Sequence, residues 1–304
     1  MKILVTGGTG LVGQSLQQIM PNAIYVSSKD FDITNELQTE LMFDTHSPDV
    51  VVHCAAIVSG ITENIARPCD HFENNVLMNT NIINYARKYN VKRLIAILST
   101  CAYPDVASAY PIKETQLHES VPAATNFSYG YSKRMVAVHI DACNKQHNTA
   151  YSYLIPCNLY GEFDKYGKNS HYVAALIKKI EETKIHDGDS ITLFGDGTPL
   201  RQFLYAPDLA QIIKQCIEAG ITTNFNICNN ECYTIDEIAR IALKACEAEH
   251  LQIKYINKHL NGQYRKDCDN GVLRQLLPDF KFTSLFDGIK KTYEHYSTNT
   301  KHRQ

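Results

Sequence analysis

Short apolar runs alternate with helix-periodic segments through the first half of the chain. Strands are expected at 2–6, 23–26, 50–54, 93–99 and 150–156, and helices at 11–20, 36–46, 76–89 and 129–146. Strand followed by helix, repeated, predicts βαβ units and a parallel sheet. The strand segments are rich in Val, Ile and Leu, which suits a sheet covered on both faces. The expectation is a doubly wound α/β fold of Rossmann type. Beyond Gly161 the pattern loosens into Gly/Asp-rich turns at Gly188 and 195–197, then a helix at 208–219 and a strand at 224–228. Thr234-Ile-Asp-Glu237 has capping-box spacing and opens a helix to about residue 249, with Ile235, Ile238, Ile241 and Leu243 as its apolar stripe. A final helix at 285–296 follows Thr283 and Ser284 as candidate caps. The change of pattern divides the chain into a nucleotide-binding domain at 1–161, to which 204–229 returns, and a smaller α/β substrate-binding domain made of 162–203 and 230–304.

Composition narrows the class. The 304 residues are 44% hydrophobic and 20% charged, with 15 Gly and 10 Pro, which excludes collagen-like, low-complexity and disordered readings. A formal charge of -2 provides no basic field for nucleic acid or an anionic membrane, so any bound anion must be held locally. No run reaches the roughly 18 apolar residues of a membrane span, and the first residues lack a signal-peptide pattern, so the expected location is cytoplasmic. Ten scattered cysteines fit reduced thiols, and Cys228-x-x-x-Cys232 lacks a second ligand pair, so no metal site is expected.

Candidate chemistry begins at Gly7-x-x-Gly10-x-x-Gly13, between the first strand and first helix. A tight glycine turn there brings backbone N–H groups and a helix N-terminus against a pyrophosphate. At the end of the second strand an acidic residue would read a ribose hydroxyl, whereas Ser27-Ser28-Lys29 supplies hydroxyls and a cation suited to the 2'-phosphate of NADP(H). Asp30 and Asp32 follow closely and leave a ribose or adenine contact as the other reading. Tyr129-x-x-x-Lys133 lies at the start of a helix, with both side chains on one face, where a cation would stabilise a phenolate; Tyr131 competes as the phenol. Ser99 ends the fourth strand at the carboxyl edge of the expected sheet, placed to hydrogen-bond a substrate carbonyl.

The nucleotide loop, the serine after the fourth strand and Tyr-x-x-x-Lys, in this order and spacing, resemble the extended short-chain dehydrogenase/reductase family. The resemblance implies that Ser99, Tyr129 and Lys133 polarise and protonate an oxygen while hydride moves at its carbon. Finer motifs are Ser99-Thr-Cys101-x-Tyr-Pro104, Pro156-Cys-Asn158-Leu-Tyr-Gly161, Asn169-Ser-His171, Gly195-Asp-Gly-Thr-Pro-x-Arg201-x-Phe-Leu204 and Asn261-Gly-Gln-Tyr264. They resemble the GDP-L-fucose synthase branch of that family, the GDP-4-keto-6-deoxy-D-mannose 3,5-epimerase/4-reductases, over nearly the whole chain.

This resemblance implies a further pair, Cys101 as base and His171 as acid, whose thiol and imidazole both exchange protons near neutrality and can invert carbons flanking a ketone. It implies NADP(H) contacts from Gly7, Gly10, Leu11, Val12, Gly13, Lys29, Asp32, Ala56, Leu98, Lys133, Pro156, Asn158 and Leu159. It implies nucleotide-sugar contacts from Asn158, Lys179, Phe194, Arg201 and Asn261, and a homodimer joined through the helices near 76–89 and 129–146. Phe194, Cys157 and Asn261 stand where the family usually has tryptophan, threonine and aspartate. Two other readings stay open: a C4 reductase of another GDP-linked 6-deoxy-4-keto sugar such as a heptose, and a non-catalytic NADP-binding regulatory protein.

Overall fold

The computed structural model describes residues 1–58, 60–167, 170–257 and 263–301. The first half runs β1 (Ile3–Thr6), α1 (Leu11–Ile19), β2 (Ile24–Val26), α2 (Glu36–His46), β3 (Val50–His53), α3 (Ile61–Ala66), α4 (Pro68–Lys88), β4 (Arg93–Ile97), α5 (Phe127–His147) and β5 (Tyr151–Pro156). It continues with β6 (Asn158–Tyr160), α6 (Tyr172–Ile185), β7 (Ser190–Phe194), β8 (Leu200–Arg201), β9 (Phe203–Tyr205), α7 (Ala206–Glu218) and β10 (Phe225–Ile227). The chain closes with β11 (Tyr233–Thr234), α8 (Ile235–Ala245), β12 (Gln252–Ile256), α9 (Gly271–Leu276) and α10 (Leu285–Lys301).

Six strands form one sheet in the order β10-β5-β4-β3-β1-β2, every pair parallel. The strand order reverses between β1 and β3, which makes the crevice outside Thr6 and His53 the topological switch point where ligands of open α/β sheets bind. All four residues of β3 are buried, as a strand covered on both faces requires. No helix of the described residues is long and apolar enough to cross a membrane.

Buried apolar side chains form two clusters. The larger joins the sheet to its helices through residues such as Leu4, Val51, Ile82, Leu94, Ile140 and Leu154, and takes in Leu209, Ile213 and Phe225 from later in the chain. The second gathers Val173, Ile177 and Ile180 of α6, Ile191 and Leu193 of β7, Ile238 and Leu243 of α8, and Leu285 and Ile289 of α10. Cys268 and Leu273, late in the sequence, pack into the larger cluster.

The capping box of α8 is formed, Thr234 Oγ1 accepting from Glu237 N at 3.1 Å and the Glu237 carboxylate accepting from Thr234 N at 2.7 Å. Two expectations change. Helix α4 begins at Pro68 rather than near residue 76 because its first inward face is polar, with His71, Asn75 and Asn79 buried one turn apart. A search for apolar periodicity cannot see that face. Helix α6 and the short strands β6, β7, β8, β9, β11 and β12 are further elements that the sequence pattern leaves unassigned.

Candidate active site

The chain turns out of β1 at Gly7, whose φ is +74° and where a Cβ would stand 2.8 Å from the backbone nitrogen of Ala55. A Cβ on Gly13 would stand 2.3 Å from the Gly7 carbonyl oxygen. The two glycines therefore let turn and helix close on each other as no other residue would. Helix α1 opens at Gly10 with no side-chain cap, so the first-turn N–H groups of Leu11, Val12 and Gly13 receive no side-chain acceptor from the helix's own cap. Such an end favours an anion.

At the end of β2, Asp30 accepts from Ser27 N at 2.8 Å and Ser27 Oγ at 2.7 Å, and the Ser27 hydroxyl, then its backbone, hold this carboxyl below the usual range. Asp32 likewise accepts from Thr34 N and Oγ1 at 3.0 and 2.7 Å. Both acids are engaged in their own turns, while Ser28 and Lys29 are exposed. Ala56, half-buried after β3, is steadied through its neighbour Ile57, whose N–H and carbonyl both bond the Asn75 amide at 3.0 Å. Leu98 and Pro156 are buried at the carboxyl ends of β4 and β5; Leu159 and Asn158 are half-buried on β6, with Asn158 Nδ2 donating to the Gln202 carbonyl at 2.8 Å.

The chain leaves β4 through Ser99 into a single turn of 3-10 helix, Thr100–Ala102, with Ser99 Oγ accepting from Cys101 N at 3.2 Å. Helix α5 presses against this turn at Gly130, where a Cβ would lie 2.5 Å from the Cys101 carbonyl oxygen. Arg134 one turn on clamps the same loop, its Nε and Nη2 donating to the Ala102 carbonyl at 3.0 and 2.6 Å and its Nη1 to Ser120 O at 2.7 Å. Tyr129 is buried here; burial and then the Cys101 charge push its phenol up, against a hydrogen bond from Ser99. Tyr131 instead packs on Phe127 under the Arg134 guanidinium, so Tyr129 is the phenol beside Ser99.

Lys133, one turn beyond Tyr129, is buried as well. Its Nζ donates to the Ile97 carbonyl at 2.7 Å, and its charge is not among those acting on Tyr129. Burial pushes this ammonium down to about 8. Its neighbours are His53 and Cys54. His53 Nε2 donates to Asn79 Oδ1 at 2.9 Å, so its Nδ1 accepts from Thr6 Oγ1 at 2.7 Å, and Asn79 Nδ2 donates onward to Ser132 O at 3.3 Å. This chain of bonds runs beneath the switch point from β1 to α5, and burial holds His53 neutral with a pKa near about 3.

Cys101 is half-buried and its Sγ accepts from Lys266 Nζ at 3.0 Å. Burial pushes the thiol up, but Lys266, Ser99 and Asn126 together carry it below its ordinary value. His171, at the N-terminus of α6, shares its Nδ1 with both oxygens of Asp164 at 2.9 and 3.1 Å. Burial lowers the imidazole, and Asp164 followed by the Cys101 charge raises it by more.

Of the expected substrate contacts, Arg201 joins this group. Its Nη1 donates to Leu200 O at 2.8 Å; burial depresses the guanidinium, and Cys101 acts on it electrostatically. Lys179 donates to the Thr192 carbonyl on β7, and Phe194 ends that strand 63% exposed, so neither is joined to Cys101 by a hydrogen bond among the described residues. Asn261, and Asn169 of the Asn169-Ser-His171 motif, lie outside the described residues. Lys266 and Asp164 were missed in the sequence. Lys266 is 165 positions from its thiol, and Asp164, seven from its imidazole, lies in the loop between β6 and α6, where no helix or strand period relates the two.

A parallel doubly wound sheet with a glycine cradle at its switch point, and a Tyr-x-x-x-Lys helix packed across its carboxyl edge, define an enzyme of the extended short-chain dehydrogenase/reductase class. The NAD dependent epimerase/dehydratase family model matches residues 3–228, and the chain belongs to that family. It is 34% identical to a probable GDP-L-fucose synthase of Drosophila melanogaster, the match covering 98% of each chain. It is 32% identical to the GDP-L-colitose synthase of Yersinia pseudotuberculosis over 97% of this chain and 98% of that protein. A GDP-L-fucose synthetase of Naegleria fowleri bound to NADP superposes with a TM-score of 0.87 at 29% identity, over 98% of this chain and 94% of that one.

Proposed function

We propose that this enzyme makes GDP-L-fucose, inverting C3 and C5 of GDP-4-keto-6-deoxy-D-mannose and then reducing C4 with NADPH. The observation that carries the reading is the convergence of the lowered Cys101 thiol and the carboxylate-held His171 with half-buried Ser99 and buried Tyr129. A simple reductase needs only the second pair. A 4-keto group acidifies its flanking C–H bonds; Cys101 removes a proton from one face, His171 delivers one to the other, and both have proton affinities drawn toward neutrality.

The Gly7–Gly13 cradle, the open N-terminus of α1 and exposed Lys29 fit a dinucleotide bearing a 2'-phosphate. NADPH supplies the hydride. Tyr129 suits the reductive direction because burial keeps its phenol protonated until oxyanion character grows on the C4 carbonyl oxygen, and Ser99 donates beside it. Arg201, with no carboxylate within salt-bridge distance among the described residues, is suited to the diphosphate. The dimer is part of the same reading: Leu77 on α4 and Val138 on α5, helices packed on each other, are 47% and 54% exposed.

Similarity to a colitose enzyme supports a second reading, a C4 reductase of another GDP-linked 4-keto-6-deoxy sugar. One experiment separates the two. The enzyme is given NADPH and GDP-4-keto-6-deoxy-mannose in deuterated buffer and the product is examined by NMR. GDP-L-fucose labelled at both C3 and C5 is expected; a product labelled at one centre or none moves the assignment to the second reading.

A further inference from the structure

We propose that Lys266 is the positioning residue that holds Cys101 as a thiolate for proton abstraction. The inference deepens the epimerase reading of Cys101 and starts from geometry. Lys266 Nζ lies 3.0 Å from Cys101 Sγ, and the lysine is only 7% exposed. Lysine is rarely buried so deeply without a partner. No carboxylate among the described residues lies within salt-bridge distance of it; the adjacent Asp267 is taken by Arg265 at 2.6 Å. The thiol is its one hydrogen-bonding side-chain partner among the described residues.

The backbone around Lys266 is fixed on both sides. Tyr264 O accepts from Leu200 N at 2.9 Å, Asp267 O accepts from Ile112 N at 2.8 Å, and Cys268 N donates to Gln202 Oε1 at 2.8 Å. A lysine root fastened to two other segments, the 200–202 stretch and Ile112, places its ammonium with less freedom than a surface lysine has. The Cys101 end is fastened as well, by Ser99 Oγ and the Arg134 clamp. The pair is therefore built from both ends.

The groups acting on the thiol sort by charge. Lys266, Arg201 and protonated His171 are cations, Tyr129 is a neutral phenol, and Ser99 and Asn126 are neutral hydrogen-bonding partners. Of the cations, Lys266 alone is hydrogen-bonded to the sulfur. A charge-assisted bond to the anion favours thiolate over thiol. When the thiolate takes the C–H proton its negative charge passes to the enolate oxygen, and Lys266 keeps its own proton throughout.

The test reads Cys101 without substrate, so it fails separately from the epimerase assignment. The native full-length protein is pulsed with iodoacetamide across the pH range in which thiols titrate, and alkylation of the Cys101 peptide is followed by mass spectrometry. In the unaltered protein the half-point is expected below the ordinary thiol value of about 8.5. Lys266→Met should move it upward and slow Cys101 labelling at neutral pH by about an order of magnitude, while Lys266→Arg keeps the early titration. A wild-type half-point at or above the ordinary value overturns the proposal even if the Met variant does not fold. So does a Lys266→Met protein that binds NADPH normally and titrates at Cys101 like the wild type.

Discussion

His171 donates its Nδ1–H to both oxygens of Asp164, at 2.9 and 3.1 Å. An ionised carboxylate can only accept, so the proton stands on Nδ1 of the neutral ring, and Nε2 carries no hydrogen bond among the described residues. Asp164 thus sets both the tautomer and the proton affinity of the ring. Asp164→Asn keeps the shape and removes the charge, so His171 should release its proton at lower pH. The alkaline limb of solvent deuterium uptake into the keto sugar should then move toward acid, with uptake at neutral pH falling about tenfold. Ring titration by NMR checks the shift directly; an unmoved His171 would refute the assignment to Asp164.

Separate chemistry at Cys101 and Tyr129 should come apart by mutation. Cys101→Ser should abolish deuterium uptake at C3 and C5 while NADPH oxidation by the 4-keto sugar persists in part. Tyr129→Phe should slow hydride transfer by about 10²–10⁴-fold and leave exchange in place. Exchange is read by NMR and hydride transfer by NADPH absorbance. Equal losses of both steps in the Tyr129 variant would show that the phenol serves both.

Gly13→Ala would set a methyl 2.3 Å from the Gly7 carbonyl oxygen and 2.7 Å from Gly8 Cα. Both neighbours are backbone, so relief requires the turn and α1 to part. A loss of about 1–3 kcal/mol in urea unfolding is expected, together with weaker NADPH binding measured by cofactor fluorescence. An alanine protein as stable as the parent would mean that the cradle is looser than its geometry.

His53 is held neutral by burial, with a folded pKa near about 3. The unfolded chain protonates its histidine near pH 6.5, so between these values the unfolded state binds the extra proton and stability falls as pH falls. Above that window the residue contributes no slope. His53→Gln should remove a component of up to about 1.4 kcal/mol per pH unit from the acid side of the stability profile. Urea midpoints of both proteins across that window test it; parallel profiles would place the acid sensitivity elsewhere.

By itself the sequence determined the doubly wound sheet, because strand and helix periods alternate there and a fully buried strand leaves an unbroken apolar run such as Val50, Val51 and Val52. It also determined the glycine cradle, the capping box of α8, and the local grouping of Tyr129 and Lys133, since helices and tight turns bring near neighbours together. The tertiary structure decided what depends on separation. Lys133 turns to the Ile97 carbonyl instead of the phenol; the polar inner face of α4 makes hydrogen bonds that no apolar pattern announces; Lys266 reaches Cys101 across 165 positions. Charge and hydrogen bonding act through space over a few ångströms, whereas a sequence pattern reports only contacts that repeat along the chain.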